Sequence, residues 1–179
     1  MEWLGNEIDK LLVNEVIKKE SDLEKIKSFV SKGANVNIIS DFGDSLLKEL
    51  IKNYEADGGN IKFNVIILLL DLGSDINYEL DGFNCLFEAH LRNSPELVKL
   101  LLERGANPNC ISTDTPESIY DYIKWDRDWE VGDEQICQRF EWGQKWADDA
   151  GKIIELLEQY GAKTYNELKK INNNLNSIK

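Results

Sequence analysis

A five-residue phrase returns three times in this chain, each time closing a run of apolar residues, and it constrains the fold more than any other feature. It reads Gly33-Ala34-Asn35-Val36-Asn37, then Gly73-Ser74-Asp75-Ile76-Asn77, then Gly105-Ala106-Asn107-Pro108-Asn109, with a shortened copy at Gly161-Ala162-Lys163. The glycines stand 40, 32 and 56 residues apart. A period near 33 residues marks a chain of stacked supersecondary units, each too small to bury its apolar face alone. Glycine just past the last apolar position of a helical pattern is where a helix stops with one residue in the left-handed region.

The segments before the glycines share one apolar pattern. Val65, Ile66, Leu68 and Leu69 align with Leu97, Val98, Leu100 and Leu101, and with Ile153, Ile154, Leu156 and Leu157, while Ile26, Phe29 and Val30 give a weaker version. Apolar residues at this spacing form one face of an α-helix. Helix starts are marked too. Ser21 with Glu24 and Thr164 with Glu167 read as capping boxes, and Ser94-Pro95 and Thr115-Pro116 place a capping hydroxyl before a proline at the first helical position. The expected helices run 3–19 with 22–32, 44–53 with 61–72, 84–92 with 95–104, and 116–129 with a long partner ending at Tyr160.

These residues resemble the ankyrin repeat family. Its pattern has an Asp- and Gly-rich turn, a Thr-Pro-Leu-His-x-Ala-Ala inner helix and an outer helix ending Val-x-x-Leu-Leu-x-x-Gly-Ala-x-x-Asn. The third repeat fits best, with Asp81-Gly82-Phe83-Asn84-Cys85-Leu86-Phe87-Glu88-Ala89 and then Leu97-Val98-Lys99-Leu100-Leu101-Leu102-Glu103-Arg104-Gly105-Ala106. The second keeps Asp41, Leu46 and the outer-helix ending without Thr-Pro or His, and the fourth keeps Thr115-Pro116 and Gly161-Ala162. The resemblance implies an all-α ankyrin-repeat solenoid of about four helix pairs. The chain then forms a single domain over 1–179, with repeats near 1–37, 38–77, 78–109 and 110–163 and a C-terminal capping helix at 164–179. It also implies protein recognition through hairpin tips and inner-helix faces. Carried over by position, those are Asp41, Phe42, Glu79, Asp81, Phe83 and Asp114 at the tips, with Glu88 and Arg92 on an inner helix.

The longest interval departs from the period by about 23 residues. Four of the five tryptophans fall in this excess, at Trp125, Trp129, Trp142 and Trp146, and tryptophan is enriched at binding hot spots. At about 100° per residue, residues 133–160 project as one amphipathic helix with Ile136, Phe140, Trp142, Trp146, Ile153 and Leu157 on its apolar side. The last repeat is thus expected to be an extended helical hairpin. Trp142 and Trp146 are expected in its core, and Trp125 and Trp129 stand open between core and partner-binding surface.

Composition narrows the partner. The chain carries 33 acidic against 21 basic residues, a net charge of −12. Such a balance disfavours nucleic acid and anionic membranes, whose binding needs clustered Lys and Arg, and favours a basic protein partner. Cys85, Cys110 and Cys137 stand far apart with a single histidine, His90, so no metal set forms. No GxSxG, GxxxxGK or HExxH motif occurs, so neither catalytic residues nor a cofactor are expected. The start Met1-Glu2-Trp3 lacks a basic stretch, and the longest apolar run, Val65–Leu70, is too short to span a bilayer. A cytoplasmic protein, monomeric when free, is the expectation. Two roles stay open: an immunity-type inhibitor masking one basic partner, or a scaffold, adaptor or host-directed effector bridging two proteins.

Overall fold

Nine α-helices account for the described residues, with no strands among them. The computed structural model describes residues 1–54, 60–80, 82, 84–132 and 141–176; for 60–61, 128–132, 141–144 and 174–176 it describes the backbone alone. The helices are α1 Glu7–Ile17, α2 Leu23–Ser31, α3 Leu46–Lys52, α4 Asn60–Asp71, α5 Cys85–Leu91, α6 Pro95–Glu103, α7 Ile119–Gly132, α8 Glu141–Gln159 and α9 Tyr165–Asn176. They divide into two compact units, Met1–Leu80 and Asp81–Lys179.

In the first unit α1 packs on α2, α3 on α4, and α1 on α3. Its core is Leu12, Val16, Ile26, Ile38, Leu46, Leu50, Ile51, Val65, Ile66 and Leu69. The Val65–Leu70 run is therefore a buried helix flank. In the second unit α5 packs on α6, and α8 packs on both α6 and α7. There the core is Leu86, Ala89, Leu97, Leu101, Ile119, Ile123, Ala150, Ile153 and Leu157.

The repeated phrase has a separate task for each polar position. All four of its glycines are left-handed, with φ of 97°, 92°, 91° and 80°. The residue after each glycine donates its N–H to a carbonyl five back, as from Ala34 to Phe29 at 3.0 Å and from Ala106 to Leu101 at 2.9 Å, which closes the last helical turn. The third residue makes a side-chain turn: Oδ1 of Asn35, Asp75 and Asn107 each accepts from the N–H two residues on, at 2.9 Å. In the first and third copies the fifth residue reaches out of its own helix pair. Asn37 donates to the Gly73 carbonyl at 3.1 Å and accepts from the Asp75 N–H at 2.7 Å. Asn109 does the same with Gly161 at 3.3 Å and Lys163 at 2.9 Å.

Several helix starts differ from the sequence reading. α1 begins at Glu7, where Asn6 accepts from the Ile8 and Asp9 N–H groups while the Asp9 carboxylate accepts from the Asn6 N–H, a complete capping box. Asp22, not Ser21, caps α2 by accepting from Glu24 and Lys25; the Ser21 hydroxyl instead donates to the Val16 and Lys18 carbonyls that end α1. Thr115-Pro116 opens no helix. α7 starts three residues later, where Ser118 and Asp121 bond each other reciprocally. Ser94 and Thr164 cap as expected. In the long last pair, α7 and α8 run side by side as expected, and Trp146 is half-buried. Residues 133–140, Cys137 among them, and the Trp142 side chain lie outside the described residues.

Candidate docking cavity

In the second unit the ends of α5 and α7 are tied to one loop, and a cavity forms where they meet. Asn84 is fully buried and caps α5 by accepting from Leu86 and Phe87. Its amide group donates onward to the Asn107 carbonyl at 3.3 Å and to Cys110 Sγ at 3.0 Å. The loop 110–118 is a short hairpin: Ile119 N–H donates to Cys110 and Ser112 N–H to Glu117, both at 3.0 Å. The Ser112 hydroxyl accepts from Asp114 and Thr115 N–H groups and fixes the tip. Gly82 lies against this hairpin, since a Cβ there would stand 2.2 Å from the Ile111 carbonyl oxygen.

The cavity has a volume of about 230 Å³, with Phe87, Ile119 and Tyr122 for its apolar lining and Gly82 and Ser112 at the tips. Asp114 and Glu117 also line it, both exposed. Phe87 and Tyr122 meet edge-to-face with centroids 5.0 Å apart, and Trp125 continues the series 6.3 Å from Tyr122. Burial, with Asp126 and Glu117 nearby, pushes the Tyr122 hydroxyl above its ordinary pKa. Acid thus concentrates negative potential around an aromatic surface.

Behind the cavity His90 is 1% exposed and its Nε2 lies 3.1 Å from Asp126 Oδ2. Its Nδ1 is buried with no hydrogen-bond partner among the described residues. Burial depresses the imidazole pKa below 6.5, and Asp126 offsets this only in part. The unfolded chain therefore takes up the proton first as the pH falls. Stability held by neutral His90 is complete above about pH 6.5 and declines below it, toward the depressed folded value. With a single histidine in the chain, urea unfolding should show lower stability at pH 5.5 than at pH 7.5. His90→Gln should flatten that slope; an unchanged slope would place the proton elsewhere.

The sequence-selected residues are dispersed. Asp114 lines the cavity and Trp125, 58% exposed, lies beside it. Glu88, expected on an exposed inner-helix face, is buried, whereas Arg92 is exposed at the end of α5. Phe42 is 65% exposed and Glu79 is exposed, both in the first unit. Asp41, also there, is committed to the N-terminal segment: its carboxylate accepts from Glu2 N–H at 2.8 Å and its own N–H donates to the Glu2 carbonyl. Asp81, Phe83 and the Trp129 side chain lie outside the described residues. Sequence reasoning missed Tyr122, Glu117 and the His90–Asp126 pair. For Tyr122 a signal existed, because it follows Ile119 by three positions and precedes Ile123, at the edge of the apolar face.

A second cavity, of about 400 Å³, lies in the first unit and includes Trp3, Ile17, Leu50 and Lys62. The Lys62 ammonium is already engaged there by the Val16 and Lys18 carbonyls that end α1. It completes a helix end, and two of its three donors are taken in doing so.

Among the described residues no group of three or more His, Cys, Asp or Glu is placed to hold a metal. No helix among them is long and apolar enough to cross a membrane. No curated protein matches the chain. Residues 81–113 match the family model of the ankyrin repeat, a span covering α5, α6, the third copy of the phrase and the first four residues of the 110–118 loop. The segment 81–113 thus carries the sequence of one ankyrin repeat.

Proposed function

We propose that the protein is a non-catalytic protein–protein interaction module, a cytoplasmic inhibitor of the immunity type that masks one basic partner and is monomeric when free. One observation carries the reading: the segment matching the ankyrin repeat contributes Gly82, Phe87 and Ser112 to an aromatic cavity rimmed by Asp114 and Glu117. Ankyrin repeats serve protein recognition, and a net charge of −12 favours encounter with a cationic surface. The same reading takes the whole chain as one domain of four stacked helix pairs, with repeats near 1–37, 38–77, 78–109 and 110–163.

Tagged protein should capture one basic polypeptide from its native lysate, in a one-to-one complex by light scattering that weakens as salt rises. The complex should abolish that polypeptide's activity. Several partners of mixed charge, held at high salt and left active, would sink the inhibitor reading in favour of an adaptor.

A further inference from the structure

We propose that the cavity between the 110–118 hairpin and the α5 and α7 helices is an arginine-binding pocket, which takes one arginine side chain of the partner protein. This rests on the interaction-module reading and names the chemistry of its site.

The lining decides the class of occupant. Phe87, Ile119 and Tyr122 are apolar or aromatic, and among the described residues that line the cavity there is no Lys or Arg, whereas Asp114 and Glu117 are present. An anionic group would meet two carboxylates and no cation. A purely apolar side chain would fill the floor but leave the acidic rim unused and partly desolvated. A long side chain with an apolar stem and a cationic head satisfies both parts at once. Between the two such residues the aromatic lining favours arginine. Guanidinium is planar, more weakly hydrated than ammonium, and stacks on aromatic faces. Tyr122 and Trp125 extend the aromatic surface beyond Phe87, with ring centroids 5.0 Å and 6.3 Å apart in turn. The raised pKa of Tyr122, caused by burial with Asp126 and Glu117 nearby, agrees with a local field that favours positive charge.

The pocket is also held in shape before anything enters. Asn84 bonds to Asn107 and Cys110, the Ser112 hydroxyl fixes the tip, and Ser118 and Asp121 lock the start of α7. Glu117 is steadied as well, because its carboxylate accepts from the Thr115 hydroxyl at 3.0 Å. A rigid rim lowers the cost of ordering on binding.

The test uses the full chain, labelled with nitrogen-15, and three blocked pentapeptides Gly-Gly-X-Gly-Gly in which X is arginine, lysine or norleucine. The expected result is saturable shifts of the Gly82, Ser112 and Ile119 amides, with the arginine peptide binding tightest and norleucine weakest. Asp114→Asn with Glu117→Gln, both at exposed positions, should weaken arginine binding about tenfold while leaving the rest of the spectrum in place. Equal affinity for norleucine, equal affinity for lysine, shifts scattered away from these amides, or a double variant that binds arginine unchanged would each overturn the proposal. A native partner captured from lysate without saturable peptide binding would remove this pocket and leave the module reading standing. Peptide binding without any captured partner would do the reverse.

Discussion

Gly82→Ala is expected to destabilise the protein by about 3 kcal/mol or more, and to do so by two separable costs. Gly82 has φ of +80°, where an alanine pays about 1–2 kcal/mol against its own carbonyl sterics. Its new Cβ would also stand 2.2 Å from the Ile111 carbonyl oxygen and 2.6 Å from Ser112 Cα. Both are backbone atoms, so relief requires the 110–118 hairpin to move, along with its bonds to Glu117 and Ile119. Gly105→Ala isolates the first cost. Gly105 has φ of +91° and nothing within 4 Å of an added Cβ, so its loss should stay near 1–2 kcal/mol. Urea midpoints of the two variants give the comparison. Equal losses would mean that the hairpin yields freely and that Gly82 matters only for its dihedral angles. A larger loss at Gly82 should also carry a changed cavity, visible as shifts at Ser112 and Ile119.

The second large effect lies in the first unit. Asp44 is 6% exposed, and its carboxylate lies 3.1 Å from the Lys48 ammonium and also bonds Lys52. The Lys48 side chain is itself only 5% exposed. Asp44→Ala takes the carboxylate from a buried ammonium, a change that costs about 3–5 kcal/mol where a buried pair is broken. Asp44→Ala combined with Lys48→Met removes both charges and should recover a good part of the loss; failure to recover would show that Asp44 acts chiefly through other groups. The pH dependence supplies a second check. Burial alone would raise the Asp44 pKa, but Lys52 and Lys48 outweigh it and hold the carboxyl below its ordinary 3.8. The contribution is thus present above that value and lost as the pH falls through the lower folded pKa. Wild type and Asp44→Ala should converge in stability on strong acidification, in chemical denaturation run from pH 5 downward.

What could be read without the structure follows from how local each signal is. The glycine phrase was legible because a left-handed cap and a two-residue side-chain turn are settled within six residues, and the helix ends at Ser31, Asp71 and Glu103 follow from it. Caps were less secure wherever two adjacent residues could serve. Ser21 and Asp22 are both good caps, and the carboxylate took α2 because the Ser21 hydroxyl had the open carbonyls of α1 in reach. Thr115-Pro116 satisfied a helix-start rule and a turn rule equally, and the hairpin held by Ser112 chose the turn. The site was harder. In α5 the six residues Cys85 to His90 are all buried, so no polar face distinguishes groove from core, and Glu88 could not be told from an exposed acid. Tyr122, Glu117 and Asp126 come from a helix and loop some thirty residues further along the chain, and only the packing of α7 on its neighbours brings them to Phe87 and His90.

The asparagine that ends each phrase has a bearing on how such a chain can change over time. Asn37 and Asn109 grip the following phrase by a glycine carbonyl and an N–H group, never by a side chain. The residue supplying the N–H is Asp75 in one case and Lys163 in the other, opposite in charge, and the grip is the same. A latch that recognises only main chain exerts no pressure on the identity of what it holds. Mutations can therefore accumulate in a neighbouring helix pair without loosening the joint, so long as the glycine and its backbone turn persist. The recurrent ending can thus stay constant between helix pairs whose inner helices differ, as α3 and α5 do in sequence.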